Sequence, residues 1–264
     1  MKRKFYYLLL VATTLLIVFG YGMYYYYTPP EGREPYPVAM TTDDTIRIAY
    51  IGDSWAFFHQ PYDHEMSLSL SSKLQRPAIV TSLGYCGRSS KEIYWNLFDD
   101  HEMVNLLSQG CNCCFISAGI NDANKKMSKN YYKQSMNCII RFMLSNHITP
   151  ILLEIPDYDI EKMYRWELPS RQILRRISRL VNGTPVDCRQ EFRQALDDLI
   201  VENNYQDQVH IIRYKTWNTD FAKDQKYLYQ DDGIHLNENG YAKLDSCIIE
   251  VCCNLKTNNA HGKD

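Results

Sequence analysis

Ile46-Arg-Ile-Ala-Tyr-Ile51 runs straight into Gly52-Asp53-Ser54-Trp55. A short, mostly apolar and β-branched run that stops at glycine reads as a buried strand ending in a tight turn. That turn presents Ser54 at the edge of a sheet. Similar runs recur at Ala78-Ile-Val-Thr-Ser-Leu83, Asn112-Cys-Cys-Phe-Ile-Ser117, Thr149-Pro-Ile-Leu-Leu-Glu-Ile155 and Val209-His-Ile-Ile-Arg213. Helical patterns lie between and after them, over 64–75, 89–108, 129–146, 161–181, 189–203 and 238–251. Short strands alternating with longer helices imply right-handed crossovers and a mainly parallel five-stranded sheet, an α/β fold. In such sheets ligands bind beyond the carboxyl ends of the strands.

The rest of the 264-residue chain falls into place around that sheet. Lys2, Arg3 and Lys4 precede an uncharged stretch from Phe5 to Tyr27. As a helix it would be about 34 Å long, enough to cross a bilayer. The basic cluster would stay on the cytoplasmic side, leaving the remainder extracytoplasmic, with Tyr24–Tyr27 at the far interface. A cleaved signal peptide is the competing reading, but no small-x-small cleavage pattern precedes Thr28. Residues 28–44 hold four prolines and read as an extended tether, 45–255 as one domain and 256–264 as a polar tail. Beyond the first 27 residues, 26 basic side chains stand against 31 acidic ones, a net charge of −5. That balance argues against general nucleic-acid binding. Charged residues at 23 % and hydrophobic ones at 45 % exclude a disordered or polytopic membrane chain.

All nine cysteines follow the apolar segment, so an exported domain has thiols to pair, with one left over. Cys111-Asn-Cys113-Cys114 invites a metal reading. On a strand, however, Cys113 and Cys114 point to opposite faces and do not share an ion, so no metal is expected.

The loops after the strands carry the chemistry. Gly52-Asp53-Ser54 follows the first, Gly84-Tyr-Cys-Gly87-Arg88 the second, Gly119-Ile-Asn121-Asp122 the third, and Asp232-Gly-Ile-His235 precedes the last helix. Taken singly each is an ordinary turn or helix start. Together they supply the parts for acyl transfer. Ser54 is a nucleophile that needs a base, His235 is that base, and Asp232 three residues earlier holds its imidazole. The backbone N–H groups of Ser54 and Gly87 and the Asn121 amide are candidate donors to a tetrahedral oxyanion.

In these blocks, in their order and spacing, the sequence resembles the SGNH (GDSL-like) hydrolase superfamily over roughly residues 45–253. Trp55 stands where the eponymous motif has leucine. The resemblance implies a flavodoxin-like three-layer α/β/α sandwich and no cofactor. It implies Ser54, Asp232 and His235 as the catalytic triad, an oxyanion hole of Ser54, Gly87 and Asn121, and a small acyl ester as substrate, with O-acetyl groups on carbohydrate foremost. A polysaccharide O-acyltransferase would use the same site, because the acyl-enzyme is common to both. A carbohydrate-binding domain with a vestigial site is the non-catalytic alternative.

Other features have two readings each. Trp55 is a substrate-stacking wall or a packing residue, and Arg88 is a contact for an anionic group or a solvated arginine. Arg165, Arg171, Arg175, Arg176 and Arg179 form a basic helix face that is wetted or meets anionic lipid or polysaccharide. The aromatic segments 158–166 and 214–229 line a cleft or fill the core. His59 and His64 follow the nucleophile without an acidic partner at the Asp232–His235 spacing, and Asn182-Gly-Thr184 is a glycosylation acceptor pattern.

Overall fold

Strand β1 (Ile46–Gly52) is paired in parallel on both sides, with β2 (Ala78–Gly84) and with β3 (Cys113–Ser117). Strands β4 (Thr149–Leu153) and β5 (His210–Ile212) complete an all-parallel sheet in the order β2-β1-β3-β4-β5. The computed structural model describes residues 2–41, 43–165 and 167–261. Between β1 and β3 the chain reverses its direction of travel across the sheet, so the crevice of such folds opens above these two strands.

The helices run in chain order as α1 (Lys2–Tyr27), α2 (Ser54–His59), α3 (Asp63–Leu74), α4 (Ser90–Asp99), α5 (His101–Ser108), α6 (Ile120–Lys125) and α7 (Lys129–Ser145). They continue as α8 (Ile160–Arg165), α9 (Pro169–Asn182), α10 (Arg189–Glu202), α11 (Tyr214–Trp217), α12 (Phe221–Leu228) and α13 (Glu238–His261). Helices lie on both sides of the sheet, α3 beside α13 on one and α4, α7 and α10 side by side on the other. This is the three-layer α/β/α sandwich. Tyr50 of β1 meets His59 and Phe115 with ring centroids 4.8 and 4.5 Å apart.

Two expected helices are each split in two. The pattern over 89–108 breaks at Asp100, which ends α4 in an extended conformation and then caps α5 by accepting the Met103 N–H at 3.0 Å. The pattern over 161–181 breaks before Pro169, which opens α9 because a proline nitrogen has no proton for an upstream carbonyl. The last helix runs through to His261, into the segment expected as a polar tail.

Residues 28–41 are extended, as their prolines suggest, but they are not a free tether. The Arg33 N–H donates to the Tyr94 hydroxyl at 2.6 Å, the Val38 N–H to Asn146 at 3.1 Å, and the Tyr36 ring packs edge-on against Phe98 and Phe142. Upstream, Lys91 donates to the carbonyls of Tyr25 and Thr28 at 2.6 and 2.7 Å, and the Tyr25 ring stacks on Trp95. Among the described residues one helix, Tyr6–Tyr27, is long and apolar enough to cross a membrane, and its most apolar 18-residue stretch is not buried in the protein. All nine cysteines are unpaired, and no group of metal-binding side chains occurs among the described residues.

Close backbone approaches fix two glycines, Gly84 under α2 and Gly52 beside β3. A Cβ on Gly84 would lie 2.0 Å from the Phe57 nitrogen and 2.4 Å from the Asp53 carbonyl oxygen. A Cβ on Gly52 would lie 2.1 Å from the Ser117 carbonyl oxygen. Backbone atoms cannot step aside as a flexible side chain would. Gly84→Ala is therefore expected to cost about 1–3 kcal/mol by overpacking, read as a lowered urea midpoint. An unchanged midpoint would show that α2 is not seated on β2.

Candidate active site

Sheet register brings the sequence blocks together. Gly52 is paired with Gly84 on one side and with Ser117 on the other, so the loops holding Ser54, Gly87 and Asn121 leave from three adjacent strand ends. Ser54 is the first residue of α2, and Asp53 caps that helix by accepting the Trp55 N–H at 3.0 Å.

The late loop supplies the partners. His235 Nε2 lies 2.9 Å from Ser54 Oγ, and His235 Nδ1 lies 2.6 Å from Asp232 Oδ2. With Nδ1–H donating to the carboxylate, Nε2 is left to accept the serine proton. The other Asp232 oxygen accepts the N–H groups of Ile234 and His235 at 2.8 and 3.0 Å. Burial would raise the Asp232 pKa, but the hydrogen bond from His235 and the two N–H donors outweigh it and bring it down to about 2. The carboxylate is therefore ionised throughout the neutral range. Phe58 packs edge-on to the His235 ring at 4.8 Å and limits its swing.

The oxyanion side is open. Gly87 has φ +77°, is exposed, and its N–H meets no acceptor among the described residues, nor does the Asn121 amide donate to any. Asp122, next to Asn121, is fully buried and accepts the Ser90 N–H at 2.8 Å and the Ser90 hydroxyl at 2.6 Å. This ties α6, which carries Asn121, to the start of α4, which follows the Gly87 turn. Burial lifts Asp122 to about 6 even against those donors. Of the two glycines in this loop, Gly84 serves helix packing and Gly87 offers the free N–H.

One expectation is corrected and two paired readings are narrowed. Trp55 is fully buried, its ring against Trp217 and Tyr229 at 5.8 and 6.4 Å, so it packs the core and offers no face to a ligand. Arg88 is held on Glu92 at 3.0 Å, and Lys125 meets the same carboxylate at 2.8 Å, so its charge is already shared. The aromatic segments mainly fill the core, with Tyr158, Trp217 and Tyr229 all buried; Trp166 lies outside the described residues. The Asn182 side-chain nitrogen donates to the Lys126 carbonyl at 2.8 Å, which engages the atom a glycan would need.

His59 has partners after all. It ends α2, is fully buried, and lies 2.9 Å from Asp63 through Nδ1 and 2.9 Å from Asp245 of α13 through Nε2. Ser82 of β2 adds a contact at 2.8 Å. Asp63 stands at the i+4 spacing, which is legible in the sequence; Asp245 is distant in the chain and is brought in only by the fold. Tyr241 of α13 donates to the Trp55 carbonyl at 2.9 Å. The helix after His235 is thus bonded to both ends of the helix that begins with Ser54.

Burial works against a charged His59, but Asp245 and Asp63 outweigh it and raise its pKa to about 9. A raised histidine pKa adds stability that is complete below the ordinary value of ~6.5 and fades as pH climbs through about 9. The urea midpoint of the protein should exceed that of His59→Gln most at mildly acidic pH, and the gap should narrow as pH rises from ~6.5 to about 9. A gap that stays constant across that range would mean the ring is neutral.

No protein-family model matches the sequence, and no curated protein matches it. Solved structures do match the fold. A lipase/acylhydrolase from Enterococcus faecalis superposes with a TM-score of 0.57 at 16 % identity, covering 79 % of this chain and 96 % of that one. A GDSL-like lipase from Bacteroides thetaiotaomicron gives 0.51 at 15 %, over 78 % and 88 % of the two chains. The acetyl xylan esterase AlAXEase gives 0.51 at 15 %, over 76 % and 98 %. The order of the parallel sheet and these superpositions together show that the chain has the fold of the SGNH, or GDSL-like, hydrolases.

Proposed function

We propose that the protein is a serine esterase that cleaves small acyl esters through an acyl-enzyme. The observation that carries this reading is the unbroken chain Ser54 Oγ–His235–Asp232, with contacts of 2.9 and 2.6 Å, at the strand ends where such folds build their sites. In the first half-reaction Ser54 Oγ bonds to the acyl carbon while its proton passes to His235 Nε2. The carbonyl oxygen takes up the negative charge before the N–H groups of Ser54 and Gly87 and the amide of Asn121. Collapse of that intermediate breaks the ester C–O bond, and His235 returns the proton to the departing alcohol. Water then repeats the sequence on the acyl-enzyme, releasing the acid and restoring Ser54. Asp232 stays ionised and stabilises the imidazolium in both halves.

The substrate proposed is an O-acetyl group on carbohydrate, the chemistry named for the acetyl xylan esterase that shares the fold. The setting proposed is an extracytoplasmic domain held by α1 in the membrane, because Lys2, Arg3 and Lys4 at the helix start favour the cytoplasmic side.

Hydrolysis of p-nitrophenyl acetate by the full chain tests the triad. Ser54→Ala should abolish turnover with its circular dichroism unchanged, Asp232→Asn should lower kcat about 10⁴-fold, and Asn121→Ala about 10²–10³-fold. Equal rates for Ser54→Ala and the parent chain would sink the serine mechanism.

A further inference from the structure

Helix α9 is built inside out. Its polar residues Arg175, Ser178 and Asn182, spaced three and four apart, face the domain. Ser178 is buried against the Tyr27 hydroxyl at 2.7 Å, Asn182 donates to the Lys126 carbonyl, and Arg175 pairs with Glu167 under the Tyr164 ring. The apolar residues Ile173, Leu174, Leu180 and Val181 form the opposite stripe, and all four are exposed, Leu180 by 85 %. Leu168, just before the helix, is exposed as well. A helix folded for water buries that side and wets the other. Single exposed leucines are ordinary on a protein surface, but an apolar stripe over about two turns of helix marks a contact.

Its position says with what. Tyr27, bonded to Ser178, is the last residue of α1, the apolar helix. Lys91 and the Tyr25–Trp95 stack fasten the same end of α1 to α4, so the stripe sits where that helix meets the domain. Arg176 is exposed at the edge of the stripe and Arg171 and Arg179 on the polar side of the helix, as suits a helix lying flat at a bilayer surface with its arginines among lipid phosphates.

We infer that α9 lies in the interfacial layer of the bilayer crossed by α1, with its apolar stripe among the acyl chains; this rests on the reading of α1 as a membrane anchor. Two points of attachment, one crossing and one lying flat, then fix the domain against the surface. The attachment reaches the site. Asn182 and Thr184 hold the Lys126 carbonyl, and Lys126 follows directly on α6, the six-residue helix that carries Asn121. The substrates this arrangement serves are acyl esters displayed close to the membrane surface.

Brominated lipid tests the inference with the full chain. Leu180→Trp and, separately, Leu15→Trp in α1 are reconstituted in phosphatidylcholine vesicles with and without bromine on the acyl chains, and the emission of the parent chain is subtracted. Both added tryptophans should be quenched by the brominated lipid, and adding anionic phosphatidylglycerol should deepen the loss at position 180. Quenching at 15 without quenching at 180 overturns the placement of α9 while leaving the anchor in force. Failure at both positions removes the anchor and the inference with it. An unquenched Trp at 180 whose emission shifts to the blue as protein concentration rises would assign the stripe to a second copy of the chain, which also overturns the lipid contact. Leu180 is so exposed that the substitution leaves the fold intact, and circular dichroism checks that it has.

Discussion

The seat of α2 on the ends of β1 and β2 is the constraint on which the rest depends. Without a side chain at Gly84 the backbone of α2 rests on that of β2, and without one at Gly52 the end of β1 lies close against Ser117 of β3, so the helix that begins with Ser54 can start where the sheet stops. From that contact the other placements follow. The Gly87 turn leaves β2 beside the serine, α6 leaves β3 on the other flank, and α13 closes behind both through Asp245 and Tyr241. A site assembled from loops that lie far apart in the chain is held by one short helix bonded at each end.

Aspartates of the same chemistry are tuned apart by their surroundings. Asp53 is fully enclosed, one of its oxygens has no partner, and burial lifts it to about 7 although it accepts the Trp55 N–H. Asp232, half-exposed and supplied with three donors, falls to about 2. Only the second keeps a full charge under all ordinary conditions, and only the second touches His235. Asp53 and Asp122 hold helix starts in place, a task that suits a carboxyl group tolerating partial protonation. The number of N–H donors aimed at each oxygen, set against its burial, separates charge carriers from struts.

Much of this was legible in the residues. All five strands stand within two residues of their expected ends, because a buried parallel strand has to be short, apolar and followed by a turn. Ser54, His235 and Asp232 were legible because Asp-x-x-His lets the carboxylate fold back locally, and the fold supplies the long-range contact with the serine. The partnership of His59 with Asp245 was not, since nothing local records which distant helix will cover a buried imidazole. The periodicity of α9 was visible as well, with arginines on one side and aliphatics on the other. Periodicity gives the angle between two faces but not which one turns inward. Here Ser178 and Arg175 found partners in Tyr27 and Glu167, and the usual assignment reversed. The split at Asp100 had a signal, an aspartate placed to cap, that an uninterrupted apolar pattern concealed.

The docked segment from residue 28 to 41 bears on what the proposed membrane-anchored esterase would sample. Were all 17 residues from Thr28 to Asp44 a free coil, the domain would wander over a root-mean-square distance of roughly 20–25 Å from its point of attachment. Bonded along its length to Tyr94, Asn146 and Ser108, the strand contributes almost no slack. With the proposed anchor in place, the domain would work at a fixed height, and its encounters would be governed by lateral diffusion in the membrane plane and by how its targets are spread above it. Elevation would then become a criterion of selection: an ester would be chosen partly by how far from the bilayer it stands.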